Sequence, residues 1–217
     1  MAEYDKRAFI NRRVHSLLGL IPVGLFLLEH LFMNAHAMHG SEVYNGRVEF
    51  LVSLPFVWAL ELFFIFLPLA LHAFYGLWIV LTGRWNTHAW GTERNWNYVL
   101  QRVSGVVVLA YVAWHVWETK VWSLQAAAGG HPDFFVRMQD LLAVPWVLAL
   151  YVVGVGAAVY HFANGMWNFG ITWGVTLTRV SQKRAIWFWA LVGLALFVLG
   201  VSSLLSFNGL WPNSPGI

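Results

Sequence analysis

The chain has 217 residues, of which 59% are hydrophobic and 11% charged, far below the roughly 25% charged residues of a water-soluble globule, so a chain covered by water on all sides is excluded. Zero cysteines exclude disulfides, thiolate-bound zinc, an iron–sulfur cluster held by this chain and a cysteine nucleophile. A formal charge of +3, spread between apolar segments, reads as membrane topology and not as a nucleic-acid surface.

At about 20 apolar residues per span, this length holds roughly five transmembrane helices and no sizeable soluble domain. Five apolar stretches follow one another at residues 14–33, 56–81, 98–122, 144–169 and 186–207. The expected fold is an all-α integral membrane protein, a single multi-pass five-helix bundle spanning residues 1–217 and in contact with membrane lipid. Near-continuous apolarity over such lengths argues against barrel strands, which alternate strictly over about ten residues. The first stretch follows Lys6, Arg7, Arg12 and Arg13, and Ala35-His36-Ala37 imitates a signal-peptidase site. The run is too long for a signal core and contains Glu29 and His30, so it is expected to remain as a span.

The separators carry the residues that stop a span: Pro55 before the second stretch, Gly83 and Gly91 after it, and Gly129, Gly130 and Pro132 before the fourth. Trp58, Trp85, Trp122, Trp146, Trp173 and Trp187 fall near span ends, where an amphipathic ring suits the interface. Counting lysine and arginine on alternate sides places ten with the N-terminus and the second–third and fourth–fifth connections. Only Arg47, Lys120 and Arg137 fall on the other side, so the N-terminus is expected in the cytoplasm.

Four histidines lie inside the stretches, one on each of the first four: His30, His72, His115 and His161. A single intramembrane histidine is explained equally well by a hydrogen bond to a neighbouring helix; four on consecutive spans are harder to dismiss. Each lies about 5 to 10 Å past its own span's midpoint in chain direction. Because consecutive spans run antiparallel, His30 and His115 share the outer half of the membrane and His72 and His161 the cytoplasmic half. Two neutral imidazoles from facing helices can supply both axial ligands of a six-coordinate haem iron suited to electron transfer.

Gly76 and Gly165 each follow a histidine of the inner pair by four residues, on the same helix face. They suit either porphyrin clearance or close helix packing. Arg12, Arg13, His15 and Ser16 at the cytoplasmic start of the first span, with Arg102 and Ser104 at that of the third, are candidate partners for inner-haem propionates or a quinone. Positive-inside anchoring accounts for the arginines as well.

With these residues in place the chain resembles the cytochrome b subunit of succinate:quinone oxidoreductase, in the single-chain, five-helix, two-haem class that works with menaquinone. The similarity is carried by RRVHSLLGLIPVG at 12–24, SLPFVWALELFFIFLPLALHAFYG at 53–76, NWNYVLQRVSG at 95–105, WHVWET at 114–119 and HFANGMWNFGITWG at 161–174. The resemblance implies two b haems with His30, His115, His72 and His161 as axial ligands. It also implies partners docked on the cytoplasmic face: a flavoprotein with FAD that oxidises succinate, and an iron–sulfur subunit that feeds the inner haem. The membrane subunit then serves menaquinone and does not turn over succinate alone. Glu61, near the outer start of the second span, resembles the glutamate proposed in this family to protonate quinone; a plain interhelical hydrogen bond is the simpler account of the same residue. Two other readings compete: the haem b anchor of a hydrogenase, formate dehydrogenase or nitrate reductase, and a haem-free proton-coupled transporter.

Overall fold

The computed structural model describes residues 6–84, 87–89, 91–127 and 132–210. Trp85 and the glycine turn at 129–130 lie outside the described residues. Five helical stretches are long and apolar enough to cross a membrane: Lys6–His39, Val57–Thr82, Glu93–Ala126, Pro145–Thr172 and Arg179–Phe207. Three of them start before the apolar runs do, at Lys6, Glu93 and Arg179. Backbone hydrogen bonding continues through the charged turns that flank a span, so the helix stops where its caps are and not where apolarity fades.

The caps are local and specific. Thr178 and Ser181 form a reciprocal capping box that opens the last span, α10 (Arg179–Phe207). The fourth span, α9 (Pro145–Thr172), begins at a proline whose predecessor Val144 is extended, as the steric demand of Pro145 requires. The first span is broken into α1 (Lys6–Leu20) and α2 (Pro22–Asn34), because Pro22 lacks an N–H; a 3₁₀ turn (Ala35–His39) follows.

Irregular turns sit in the second and third spans. The second runs as α4 (Val57–Leu60), a π-helical segment (Glu61–Phe66) and α5 (Leu67–Thr82). The third runs as α6 (Glu93–Val116), a π-helical segment (Trp117–Val121) and α7 (Trp122–Ala126). Phe56, at the entry to α4, takes a left-handed backbone (φ 55°), which is strained for a bulky residue.

Two connections expected only as polar separators contain helices, α3 (Ser41–Val52) and α8 (Phe134–Leu142). They are clamped together by an exchange at the start of α8. Asp133 Oδ1 accepts from Val136 N as the cap and from Asn45 Nδ2 at 2.9 Å, while Asn45 Oδ1 accepts from Phe135 N at 3.2 Å. Tyr44 beside Asn45 is buried against Phe135 and Phe207, and burial pushes its phenol above the ordinary range. Asn208, just past α10, donates to the Leu142 carbonyl and ties that end of the bundle to α8.

The packed core lies along α9 and α10 and under α3 and α8, with Leu142, Tyr151 and Phe207 almost fully buried. Small residues permit the close approach of the two long helices: a Cβ on Gly193 would lie 3.1 Å from Ala163 Cβ, and one on Gly200 2.8 Å from Val155 Cγ1. Large apolar side chains such as Leu25, Phe32, Phe74 and Leu81 stay exposed, as suits helices whose solvent is lipid.

Candidate functional site

A cavity of about 2140 Å³ runs between the first four spans and reaches Gly200, Ser203 and Phe207 of the fifth; it is more than twice the roughly 300–1000 Å³ of an ordinary ligand pocket. All four intramembrane histidines line it, and they do so as two separate pairs. The rings of His30 and His115 have centroids 5.8 Å apart with planes at 75°. Those of His72 and His161 lie 6.2 Å apart at 84°. The chain thus brings α2 to α6 at one level and α5 to α9 at the other, the partition expected from antiparallel spans.

The Nδ1 atoms are held differently in the two pairs. His72 Nδ1 lies 2.9 Å from the His15 carbonyl, and His161 Nδ1 lies 3.1 Å from the Gln101 carbonyl and 3.2 Å from Ser104 Oγ. A backbone carbonyl only accepts, so both imidazoles donate from Nδ1 and carry the lone pair on Nε2. Gln101 is itself fixed by Asn164, which donates to its Oε1 at 2.7 Å, and its Nε2 makes a long 3.4 Å approach to His161 Nε2. In the other pair, His115 Nδ1 lies 3.2 Å from the Tyr151 hydroxyl.

Gly76 and Gly165, read from the sequence as giving either porphyrin clearance or close helix packing, both face side chains of neighbouring helices. Gly76 faces His15 at 3.1 Å and Gly165 faces the Gln101 amide at 3.4 Å, measured from the position a Cβ would take. The ring of His72 instead fills the space over Gly19, and the ring of His161 that over Gly105, 3.0 Å from its Cβ position. Spacing of four along one helix identifies neighbours on that helix, whereas these contacts cross between helices.

At the end of the cavity nearer the inner pair stand Arg12, Arg13, His15, Ser16 and Arg102. Arg13 stacks on Phe9 and Trp173, and Arg102 lies 3.5 Å over the Tyr98 ring. Arg13 Nε, His15 Nδ1 and Arg102 Nε are buried without a protein partner. His15 has a further position not foreseen from the sequence: its ring stacks flat on His72 at 4.1 Å and 5°, while its carbonyl receives the His72 Nδ1–H. Ser104 is turned to His161 and does not line the cavity with the arginines.

At the opposite end, both oxygens of Glu61 accept from Lys120 Nζ, at 2.6 and 2.7 Å. Thr119 Oγ1 donates to the His115 carbonyl at 2.6 Å, which puts this ion pair about one turn beyond the outer histidines. Arg137 and Glu118 form a second ion pair at 2.6 Å. Lys120 was expected only as a topology signal; its role as the partner of Glu61 depends on the pairing of two spans that are far apart in sequence.

Residues 81–200 match the family of succinate dehydrogenase/fumarate reductase transmembrane subunits. The chain is 44% identical over 201 residues to the succinate dehydrogenase cytochrome b558 subunit of Bacillus subtilis (strain 168), covering 93% of this chain and 98% of that one. These similarities favour a succinate dehydrogenase anchor over the hydrogenase-type anchor and the transporter. Identity at this level across nearly the whole of both proteins, on five membrane-length helices, makes the chain a member of the succinate dehydrogenase/fumarate reductase transmembrane subunit family, a multi-pass protein of the bacterial cytoplasmic membrane.

Proposed function

We propose that this subunit holds two b haems and serves electron transfer between succinate and menaquinone. The carrying observation is the pair of facing histidine couples at two levels of one cavity. With metal–nitrogen distances of about 2 Å, as for other imidazole-bound metals, and each ring centroid about 1 Å behind its nitrogen, two axial imidazoles stand roughly 6 Å apart. The observed 5.8 and 6.2 Å match that spacing. Among the described residues no group of three or more His, Cys, Asp or Glu side chains is arranged to hold a metal ion, and each couple offers two imidazole donors, the number a haem takes axially and fewer than tetrahedral zinc needs.

Other features fit the macrocycle. Gly19 and Gly105 leave the inner histidine rings room against the backbone. The unpartnered Nε atoms of Arg13 and Arg102 and the Nδ1 of His15 are donors of the kind propionates take, with Arg12 and Ser16 beside them. His72 and His161 would hold the inner haem and His30 and His115 the outer one. When bound, the haems supply one-electron carriers between an iron–sulfur partner and a two-electron quinone.

The remaining work belongs to side chains of this chain. The basic N-terminal face lies in the cytoplasm and docks the iron–sulfur subunit, which in turn carries the FAD flavoprotein. Reduction of menaquinone to menaquinol takes up two electrons and two protons. Glu61, beyond the outer histidines, passes protons to a quinone oxygen there. Its pairing with Lys120 satisfies the carboxylate, so burial alone no longer argues for that task. The support is positional: Glu61 and Lys120 both line the cavity and both belong to π-helical turns, which are frequent at functional sites. A redox titration of the purified complex, reduced by succinate and reoxidised by a menaquinone analogue, tests the reading. Two bis-histidine b-type centres that respond to both substrates are expected; one centre, or none, overturns it.

A further inference from the structure

The two histidine couples differ in what holds them. Both inner imidazoles donate to peptide carbonyls, at 2.9 and 3.1 Å. In the outer couple the His30 ring makes ring contacts with Phe26 at 5.3 Å and with His115 at 5.8 Å. Among the described residues, the contact of 3.2 Å between His115 Nδ1 and the Tyr151 hydroxyl is the one hydrogen bond to either outer ring.

Tyr151 is built to hold that position. It sits on α9 with 2% of its surface exposed, inside the core cluster. Its ring meets Tyr111, Trp114 and His115 edge-on, at centroid distances of 5.6, 5.3 and 5.6 Å. Buried in the core and packed edge-on against three rings on one face of α6, the Tyr151 ring presents its hydroxyl to His115.

We propose that Tyr151 is the positioning residue of the outer haem site: its hydroxyl oxygen accepts the His115 Nδ1–H, leaves Nε2 as the iron-facing atom and sets how readily the outer haem is reduced. The proposal rests on the reading that His30 and His115 are haem ligands. A ligating Nε2 carries no proton, so a neutral imidazole keeps its proton on Nδ1, and the hydroxyl must then accept. Giving that proton to an acceptor raises the basicity of the ring and pushes electron density toward the metal. Ferric iron carries one more positive charge than ferrous iron, so the oxidised state gains more and the midpoint potential falls. The phenol oxygen, a weaker acceptor at 3.2 Å, does this less strongly than the carbonyls do for the inner couple.

The test is Tyr151→Phe in the assembled complex, which keeps the ring and removes only the acceptor. Haem stoichiometry, midpoint potentials and low-temperature electron paramagnetic resonance are measured together. Two haems are expected, with the outer midpoint moved to more positive potential, its low-spin signal altered, and the inner centre unchanged in both respects. An unchanged outer midpoint and signal overturns the proposal. If the phenylalanine variant loses the outer haem, Tyr151→Gln, whose amide oxygen offers an acceptor, is expected to restore it; loss in both variants reduces Tyr151 to core packing and overturns the proposal. His115→Ala separates the two levels of the argument. Retention of both haems there overturns the ligand reading itself, whereas loss of one haem there with a silent Tyr151→Phe leaves the ligands in place and removes only the role of Tyr151.

Discussion

Lys120 Nζ lies 2.6 and 2.7 Å from the two carboxylate oxygens of Glu61, joining the π-helical turn of the third span to that of the second. Both side chains are about a quarter to a third exposed, so the pair is neither a freely hydrated surface contact nor sealed in the core. A π turn widens the helix by one residue and re-aims the side chains around it. Here the ion pair links the two widened turns, and both of its side chains line the cavity.

Glu61→Gln tests the proton role directly. Glutamine keeps the shape and can still bond Lys120 through its amide oxygen, but it cannot release and recover a proton. Both haems are expected to assemble and succinate to reduce the inner one normally, while quinone-linked turnover falls at least about tenfold, a conservative figure for lost acid–base help. Steady-state quinone reduction alongside haem spectra checks this; wild-type turnover with intact haems makes Glu61 structural.

Lys120→Met leaves the Glu61 carboxylate without its counter-ion, which costs more than removing both charges. Thermal stability of the complex is expected to drop in the single variant and to recover largely in Glu61→Gln/Lys120→Met. Equal losses in the single and double variants indicate that the ammonium acts through some other group.

Replacement of His72 or His161 by alanine is expected to remove the inner haem, and replacement of His30 or His115 the outer one. Haem quantitation with low-temperature spectra of the four variants is the measurement. Loss of the same centre in the His30 and His72 variants contradicts the pairing of rings seen across the cavity.

Glycine variants distinguish contact across helices from spacing along one. Gly19→Ala drives a methyl group into the His72 ring, so most of the inner haem is expected to be lost. Gly165→Ala meets only the Gln101 amide at ordinary contact distance, and near-complete haem retention is expected. Haem per complex decides it, and the reverse order restores the simple i+4 argument.

Reporter fusions after Arg84 and before Asp133 are expected on opposite sides of the membrane, with Arg84 cytoplasmic. Two of the three cations assigned to the outer side, Lys120 and Arg137, are held in ion pairs with Glu61 and Glu118. A cytoplasmic reporter at Asp133 rejects the orientation.

The parts legible in the sequence were those set by period and chain direction. Five apolar runs specify five spans, and alternation of direction sorts His30 with His115 and His72 with His161 before any contact is known. What stayed hidden depends on which helices touch. The acceptors for Nδ1 are two backbone carbonyls, which no residue type advertises, and the hydroxyl of Tyr151, one tyrosine among 7. The helices α3 and α8 were missed because their residues mix polar and apolar types without a long apolar run; they are stabilised by the Asn45–Asp133 exchange and by Tyr44 packing on Phe207. The π turns leave no pattern of their own, since one extra residue in a helix does not break its apolarity.

The uneven burial of the spans has a consequence for biogenesis. Within their most apolar windows, 33% and 44% of the residues of the fourth and fifth spans are buried, against 11%, 6% and 11% in the first three. The C-terminal pair is therefore a hairpin with an interior of its own, while the first three spans contribute little packed interior and turn much of their inward surface to the cavity, whose far wall is α9. Helix insertion into the bilayer and consolidation of the bundle then become separate events. In cells starved of tetrapyrrole, newly made chains are expected to reach the membrane with normal topology yet be cleared by proteolysis. Protease sensitivity should centre on the first three spans, which is the outcome the proposed haem sites predict for assembly without pigment.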